Sequence, residues 1–141
     1  MPITRSPARI GAVVAIILVG ASLAGCADLR QLGMTHEQVD YPSWADAPTS
    51  GGPASVPPAF VPHDASNLYL RTSLVGKGAT ITYTSPESVE ASKCVAGVLT
   101  GKPRLDSNWW PERTTPTDGM VCPHGWQIFQ LDGVTYGWRD E

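Results

Sequence analysis

Four stretches of the chain alternate apolar and polar residues with the period of two that belongs to β-strands. The clearest is Ala79-Thr80-Ile81-Thr82-Tyr83-Thr84. It puts Ala79, Ile81 and Tyr83 on one face and three threonines on the other, a composition that suits a half-exposed strand. Asn67–Ser73 reads as the strand before it, with Val75-Gly76-Lys77-Gly78 as the connecting turn. Near the C-terminus, Trp126–Leu131 and Val134–Trp138 flank Asp132-Gly133. Asp-Gly between two such runs is a strong hairpin signal, because both central positions of the tight turn need positive φ. Pairing across it sets Leu131 against Val134, Phe129 against Tyr136 and Gln127 against Trp138. Leu131, Val134, Phe129 and Tyr136 then share one face, expected to be the core, with Gln130, Thr135, Ile128 and Trp126 on the other.

Ser85-Pro86-Glu87 carries the marks of a helix start: a capping serine, proline at the first helical position and acid in the first turn. A short helix is expected from there to about Lys93. Cys94–Leu99 reads equally as its continuation or as a third strand. The expected fold class is therefore α+β, a small antiparallel sheet with a C-terminal hairpin, one short helix and long loops.

The first 26 residues follow a different logic. Arg5 and Arg9 precede an apolar run from Ile10 to Ala21, and Leu23-Ala24-Gly25-Cys26 follows. Positive start, apolar middle and small residues before a cut are the layout of a secretory signal. The run falls short of the ~20 apolar residues that a spanning helix needs. Leu23-Ala24-Gly25-Cys26 resembles the lipobox of bacterial lipoproteins. That resemblance implies removal of residues 1–25, a diacylglycerol on the Cys26 thiol and attachment to the extracytoplasmic face of the cell membrane. Two or three acyl chains hold a protein firmly, at ~0.8 kcal/mol per buried methylene.

Of the three cysteines, acylation of Cys26 leaves Cys94 and Cys122. Two cysteines in one small exported domain are expected to pair. Two free thiols, or a metal site with His124, are the alternatives. The metal reading lacks a Cys-x-x-Cys and further ligands.

Between Cys26 and the strands the composition changes. Ala27–Gln38 suggests a short helix, with Thr35-His36-Glu37-Gln38 fitting a capping box. From Tyr41 the chain turns to Pro, Ser, Ala and Gly, as in Ala47-Pro48-Thr49-Ser50-Gly51-Gly52-Pro53. Such a stretch reads as disordered. The expected organisation is a signal over 1–25, a lipidated tether over 26–58 and a globular domain over 59–141. A fully extended tether would reach roughly 90 Å at ~3.1 Å per residue.

Charge removes some functions. The net charge is −3, and loss of Arg5 and Arg9 leaves 8 basic side chains against 13 acidic ones, or −5. No basic cluster suited to nucleic acid appears, and adhesion to anionic surfaces by charge alone is disfavoured. Gly97-Val98-Leu99-Thr100-Gly101-Lys102 is too short for a phosphate loop and continues into Pro103. Neither a Gly-x-Ser-x-Gly nor a His-Glu-x-x-His motif occurs. His124 with Asp118 is the one base-and-orienter pair that can be drawn for a hydrolase. No cofactor or resident metal is called for.

The stretch between the two cysteines is more distinctive. Arg104-Leu105-Asp106-Ser107-Asn108-Trp109-Trp110-Pro111-Glu112-Arg113 sets two tryptophans among charged and amide side chains. Exposed, Trp109 and Trp110 with Asp106 and Arg113 form a surface for a sugar ring or a protein partner. Folded back, one or both become core. The segments Leu68-Tyr69-Leu70-Arg71, Ser85-Pro86-Glu87, Asn108-Trp109-Trp110-Pro111-Glu112 and Gly125-Trp126 resemble small envelope domains of high-GC Gram-positive bacteria, a likeness that implies no activity. The expected function is a lipid-anchored, non-catalytic binding or accessory module of the cell envelope, with an envelope protein or glycan as partner and no nucleic acid. A small envelope hydrolase and a purely structural lipoprotein are the alternatives.

Overall fold

The computed structural model describes residues 33–87, 89, 93–113 and 115–140. Cys26, the apolar run before it, residues 27–32, and residues 88 and 90–92 of the expected helix at 85–93 lie outside the described residues.

Seven antiparallel strands form one sheet in the order β1-β2-β3-β7-β6-β5-β4. They are β1 (His36–Ser43), β2 (Ser66–Ser73), β3 (Ala79–Thr84), β4 (Val95–Val98), β5 (Asp118–Cys122), β6 (Trp126–Leu131) and β7 (Val134–Arg139). Helical structure among the described residues is confined to two 3-10 turns, Trp44–Asp46 and Pro123–Gly125. The expected α+β class is thus corrected to all-β. Residues 85–87 are not helical; the Ser85 Oγ accepts from the Glu87 amide at 3.0 Å and donates to Asp64 Oδ1 at 2.6 Å, closing a local turn. Cys94–Leu99, open between two readings, supplies β4.

The C-terminal hairpin has the register that its turn demands. Leu131 faces Val134, Phe129 faces Tyr136 and Gln127 faces Trp138. Asp132 and Gly133 sit at φ 52° and 81°, the left-handed pair of a two-residue hairpin turn. The core assignment needs correcting. The larger core lies on the other face, where Leu68, Leu70, Ile81, Tyr83, Trp126 and Ile128 are buried. Phe129 and Trp138 form a smaller aromatic cluster on the expected face, with Leu131 and Tyr136 half-buried against it. On the larger core's face Gly137 stands between Ile81 and Ile128 in one cross-strand row. A β-carbon there would come within 2.7 Å of the Ile128 Cγ2 and 3.0 Å of the Ile81 Cγ2, so glycine lets the two isoleucines close over it.

The sheet begins inside the segment read as a tether. His36–Ser43 is the edge strand β1, so residues 36–38 of the segment expected to be helical are extended, while residues 27–32 lie outside the described residues. Proline is tolerated on an edge, where a missing amide donor breaks no central ladder, and Pro42 sits there. Ser43 then donates from its amide and its hydroxyl to Asp46 Oδ2, at 3.1 and 2.7 Å, and the chain turns onto the larger core. The Trp44 amide donates to the Ala65 carbonyl at 2.9 Å, and the Tyr41 hydroxyl to the Ser55 carbonyl at 2.9 Å. The stretch rich in Pro and Gly is therefore a lid on the sheet, and Phe60, Val61 and Ala65 are buried beneath it.

The opposite face is covered too. Thr80 and Thr82, expected at a half-exposed surface, are only 1% and 5% accessible, because the segment between β4 and β5 lies over them.

Cys94 and Cys122 form a disulfide, as the cysteine count implies. Their positions continue the β4–β5 register one step past Val95–Val121, and their Cα atoms are 4.3 Å apart, the spacing of a non-hydrogen-bonded cross-strand pair. The bond closes a separation of 28 residues that contains the whole tryptophan loop. In the chain-entropy model reduction removes roughly 3–4 kcal/mol of stability, which urea unfolding with and without reductant will register.

Tyr83 gives a second expectation. Burial pushes its phenol well above the ordinary tyrosine range, tempered by Thr135 opposite, yet the hydroxyl makes no well-formed hydrogen bond. Tyr41 shifts the same way, through burial first and then the Glu37 and Asp40 charges. Since the unfolded chain ionises near pH 10 and the fold resists it, this contribution holds below about pH 10 and is lost above it. Tyr83→Phe should change stability at pH 7 by less than about 1 kcal/mol and flatten the loss of stability between pH 9 and 11 seen in denaturant midpoints.

Candidate functional site

The site is built on the segment that joins β4 to β5. Its two ends are pinned. The Leu99 amide donates to the Thr117 carbonyl at 2.8 Å, extending the β4–β5 ladder. Next to it the Gln127 side chain mimics a ladder pair, accepting from the Thr100 amide at 2.6 Å and donating to the Thr100 carbonyl at 2.9 Å. Gly119 permits this close packing, since a β-carbon there would strike the Ile128 carbonyl and the Leu99 side chain.

Trp110 fixes the middle of the loop. Its amide donates to the Ser107 carbonyl at 3.1 Å, and its ring meets Phe129, Tyr136 and Trp138 edge-to-face at 5.8, 5.8 and 5.9 Å. Such aromatic pairs contribute ~0.5–1.5 kcal/mol each beyond area burial. Trp109 tilts against Trp110 at 6.2 Å and Tyr69 at 6.4 Å. Both tryptophans are half-buried. Both readings of the pair thus hold in part: the rings fold back over the sheet, and one of them keeps a surface toward solvent.

That surface faces a shallow cleft of about 390 Å³, lined by Gly101, Lys102, Pro103, Asp106, Trp110, Pro111, Arg113 and Thr115. Asp106, Trp110 and Arg113, three of the four residues singled out from the sequence, come together here. Trp109 does not line the cleft and packs toward β2 instead. Arg113 pairs with Asp132 at 3.7 Å, but both side chains are more than 70% exposed. Solvent screens such a pair and leaves the guanidinium available to a ligand. The cleft therefore offers two cations, one carboxylate and an aromatic surface. Lys102, set aside with the phosphate-loop reading, and Gln127, the clamp, carry no sequence signal: the place of Lys102 comes from the fold of the β4–β5 loop, and that of Gln127 from β6 lying beside the start of that loop.

The remaining candidates stay apart. Asp118 opens β5 and His124 follows its far end, about 13 Å of strand away at the usual rise. The pair drawn for hydrolysis is not assembled. His124 lies in the left-handed region at φ 62° and is exposed. It borders a small hollow of about 270 Å³ with Phe60, Pro123 and Trp126. The disulfide consumes both thiols of the metal reading. His63 stacks on Trp44 at 4.8 Å. On the larger core's side a hollow of about 400 Å³ lies among Met120, Ile128, Gln130 and Thr135, with Asp118 as the single charged residue lining it among the described residues.

No protein-family model, curated protein or solved structure matches the chain. The site is therefore read from its own chemistry.

Trp110 and Trp109 should separate in a stability experiment. Trp110→Ala opens a void under the loop and is expected to cost ~3–5 kcal/mol. Trp109→Ala, with fewer ring contacts, should cost less than half of that, as read from the midpoint of urea unfolding.

Proposed function

We propose that the protein is a lipid-anchored extracytoplasmic module that binds an envelope glycan, without catalysis, in the cleft of the tryptophan loop. The observation that carries this reading is the placing of Arg113, Lys102 and Asp106 around the free surface of Trp110. A sugar ring presents an apolar C–H face to an aromatic side chain and hydroxyls to a carboxylate. Two cations beside them favour a glycan bearing carboxylate groups. A volume of about 390 Å³ is at the lower end of small-ligand sites and suits one or two rings better than a protein surface.

The address rests on different residues. The run Ile10–Ala21 and the lipobox-like Leu23-Ala24-Gly25-Cys26 point to export and acylation. The Cys94–Cys122 disulfide fits an oxidising compartment outside the cytoplasm. Anchoring through lipid makes the membrane the first partner of the chain.

Two measurements test this reading. Mass spectrometry of protein from its native membrane should find an amino terminus at Cys26 carrying acyl chains; an uncut, unmodified terminus refutes the anchor. Titration of soluble wall-glycan fragments should change the tryptophan fluorescence of the native protein. Arg113→Ala and Asp106→Ala, both at exposed positions, should each weaken binding about tenfold or more while leaving the unfolding midpoint unchanged. Equal binding by both variants removes the cleft from consideration.

A further inference from the structure

The sheet has two edges, and they differ in kind. The β1 edge carries Glu37, Asp40 and Pro42, the charged and donor-less residues that keep an edge from pairing with another chain. The β4 edge is Val95-Ala96-Gly97-Val98, with no charge, no proline and no bulge. Val95 and Val98 are 65% and 67% exposed, and Val121, paired with Val95, is 36% exposed. An uncharged, regular, exposed edge is a template for one more strand.

The ladder says which groups are free. Leu99 donates to Thr117, so residues 99, 97 and 95 point their amides and carbonyls at β5. Cys94, Ala96 and Val98 point theirs outward. We infer that this edge pairs with the same edge of a second copy, joining two seven-stranded sheets into one antiparallel sheet about a two-fold axis at Ala96.

Symmetry selects the register. A two-fold axis normal to an antiparallel sheet sets a residue against its own copy, so pairing partners must lie on the same face. An axis at Ala96 sets Ala96 against Ala96, Cys94 against Val98 and Val95 against Gly97. It satisfies every outward group of β4 with about six interchain backbone hydrogen bonds. Gly97 opposite Val95 leaves room for the valine, and the two copies of Val95 become diagonal neighbours on one face.

The other pairings are opposed by charge and proline. Joining β4 to β1 would set this edge against Asp40 and Pro42, so the head-to-tail contact that builds open fibres is disfavoured. Joining β1 to β1 would bring Glu37 and Asp40 of both copies together. The structure therefore favours a closed dimer. Its contact is short, well under the ~1,600 Å² of a standard interface, and the association is correspondingly weak.

Hydrogen–deuterium exchange on the full chain tests this, with detergent micelles in large excess and two protein concentrations about a hundredfold apart. Well above the dissociation constant, exchange through the monomer slows with the square root of concentration, so the outward amides of Cys94, Ala96 and Val98 should exchange more slowly at the higher concentration, by at most about tenfold. The peptide spanning His36–Ser43 should not change. Val95→Lys and Val98→Lys, at exposed positions, should each abolish the concentration dependence, and Gln38→Lys on β1 should leave it intact. Exchange in β4 that ignores concentration, or that responds equally in both lysine variants, overturns the proposal.

Discussion

Both faces of the sheet have to be kept from water, and among the described residues the chain has no α-helix to cover either one. Seven strands of alternating residues leave an apolar row above and below, most sharply in β3, where five of six residues are buried. The chain covers the two rows with irregular backbone. Residues 44–65 cross one face, and the loop from Gly101 to Thr117 crosses the other. Irregular backbone must find partners for its polar groups wherever it is buried. This constraint explains the fastenings: Tyr41 to Ser55, Trp44 to Ala65, Gln127 to Thr100 and Leu99 to Thr117. The disulfide closes the β4–β5 hairpin at the end opposite the second cover, with both cysteines buried in the larger core.

The candidate site follows from that arrangement. A cover segment has an inner side that packs and an outer side that meets solvent. Trp110 belongs to both, with three aromatic rings beneath it and the cleft beside it. A ligand held there meets a surface whose position is set by the sheet. Ordering cost on binding is therefore small for the aromatic part and falls mainly on the long side chains of Arg113 and Lys102.

Local signals in the sequence were read well where a short range decides the structure. Asp132-Gly133 needs two positive φ values, and that alone fixes the register of five residues on each side. β3 and most of β2 were visible for the same reason. β1 was not, because an edge strand with only Val39 and Tyr41 turned inward carries too few apolar residues to show a period. Over 44–65 the composition points to disorder, because Pro and Gly obscure the few residues, Phe60 and Val61 above all, that do the burying. The threonines of β3 looked half-exposed since nothing local announces that a distant loop will cover them. Ser85-Pro86-Glu87 carried helix-start chemistry without the apolar periodicity that must follow. The charged part of the site was legible at Asp106 and Arg113. Lys102 was not, because its neighbours are set by the fold of the whole loop.

The early start of β1 would shorten the proposed anchor. If Cys26 carries the proposed lipid, nine residues lie between it and His36, and the connection can span roughly 30 Å at most at ~3.1 Å per residue. The sheet then hangs close beside the bilayer by one side, and its plain valine margin is the part farthest from the attachment. Two such units joined along that margin would form a twisted span of fourteen strands with a foot at each end, up to roughly 60 Å apart at the usual interstrand spacing. A span of that kind bridges a patch of membrane, and its width registers how far apart the two feet stand.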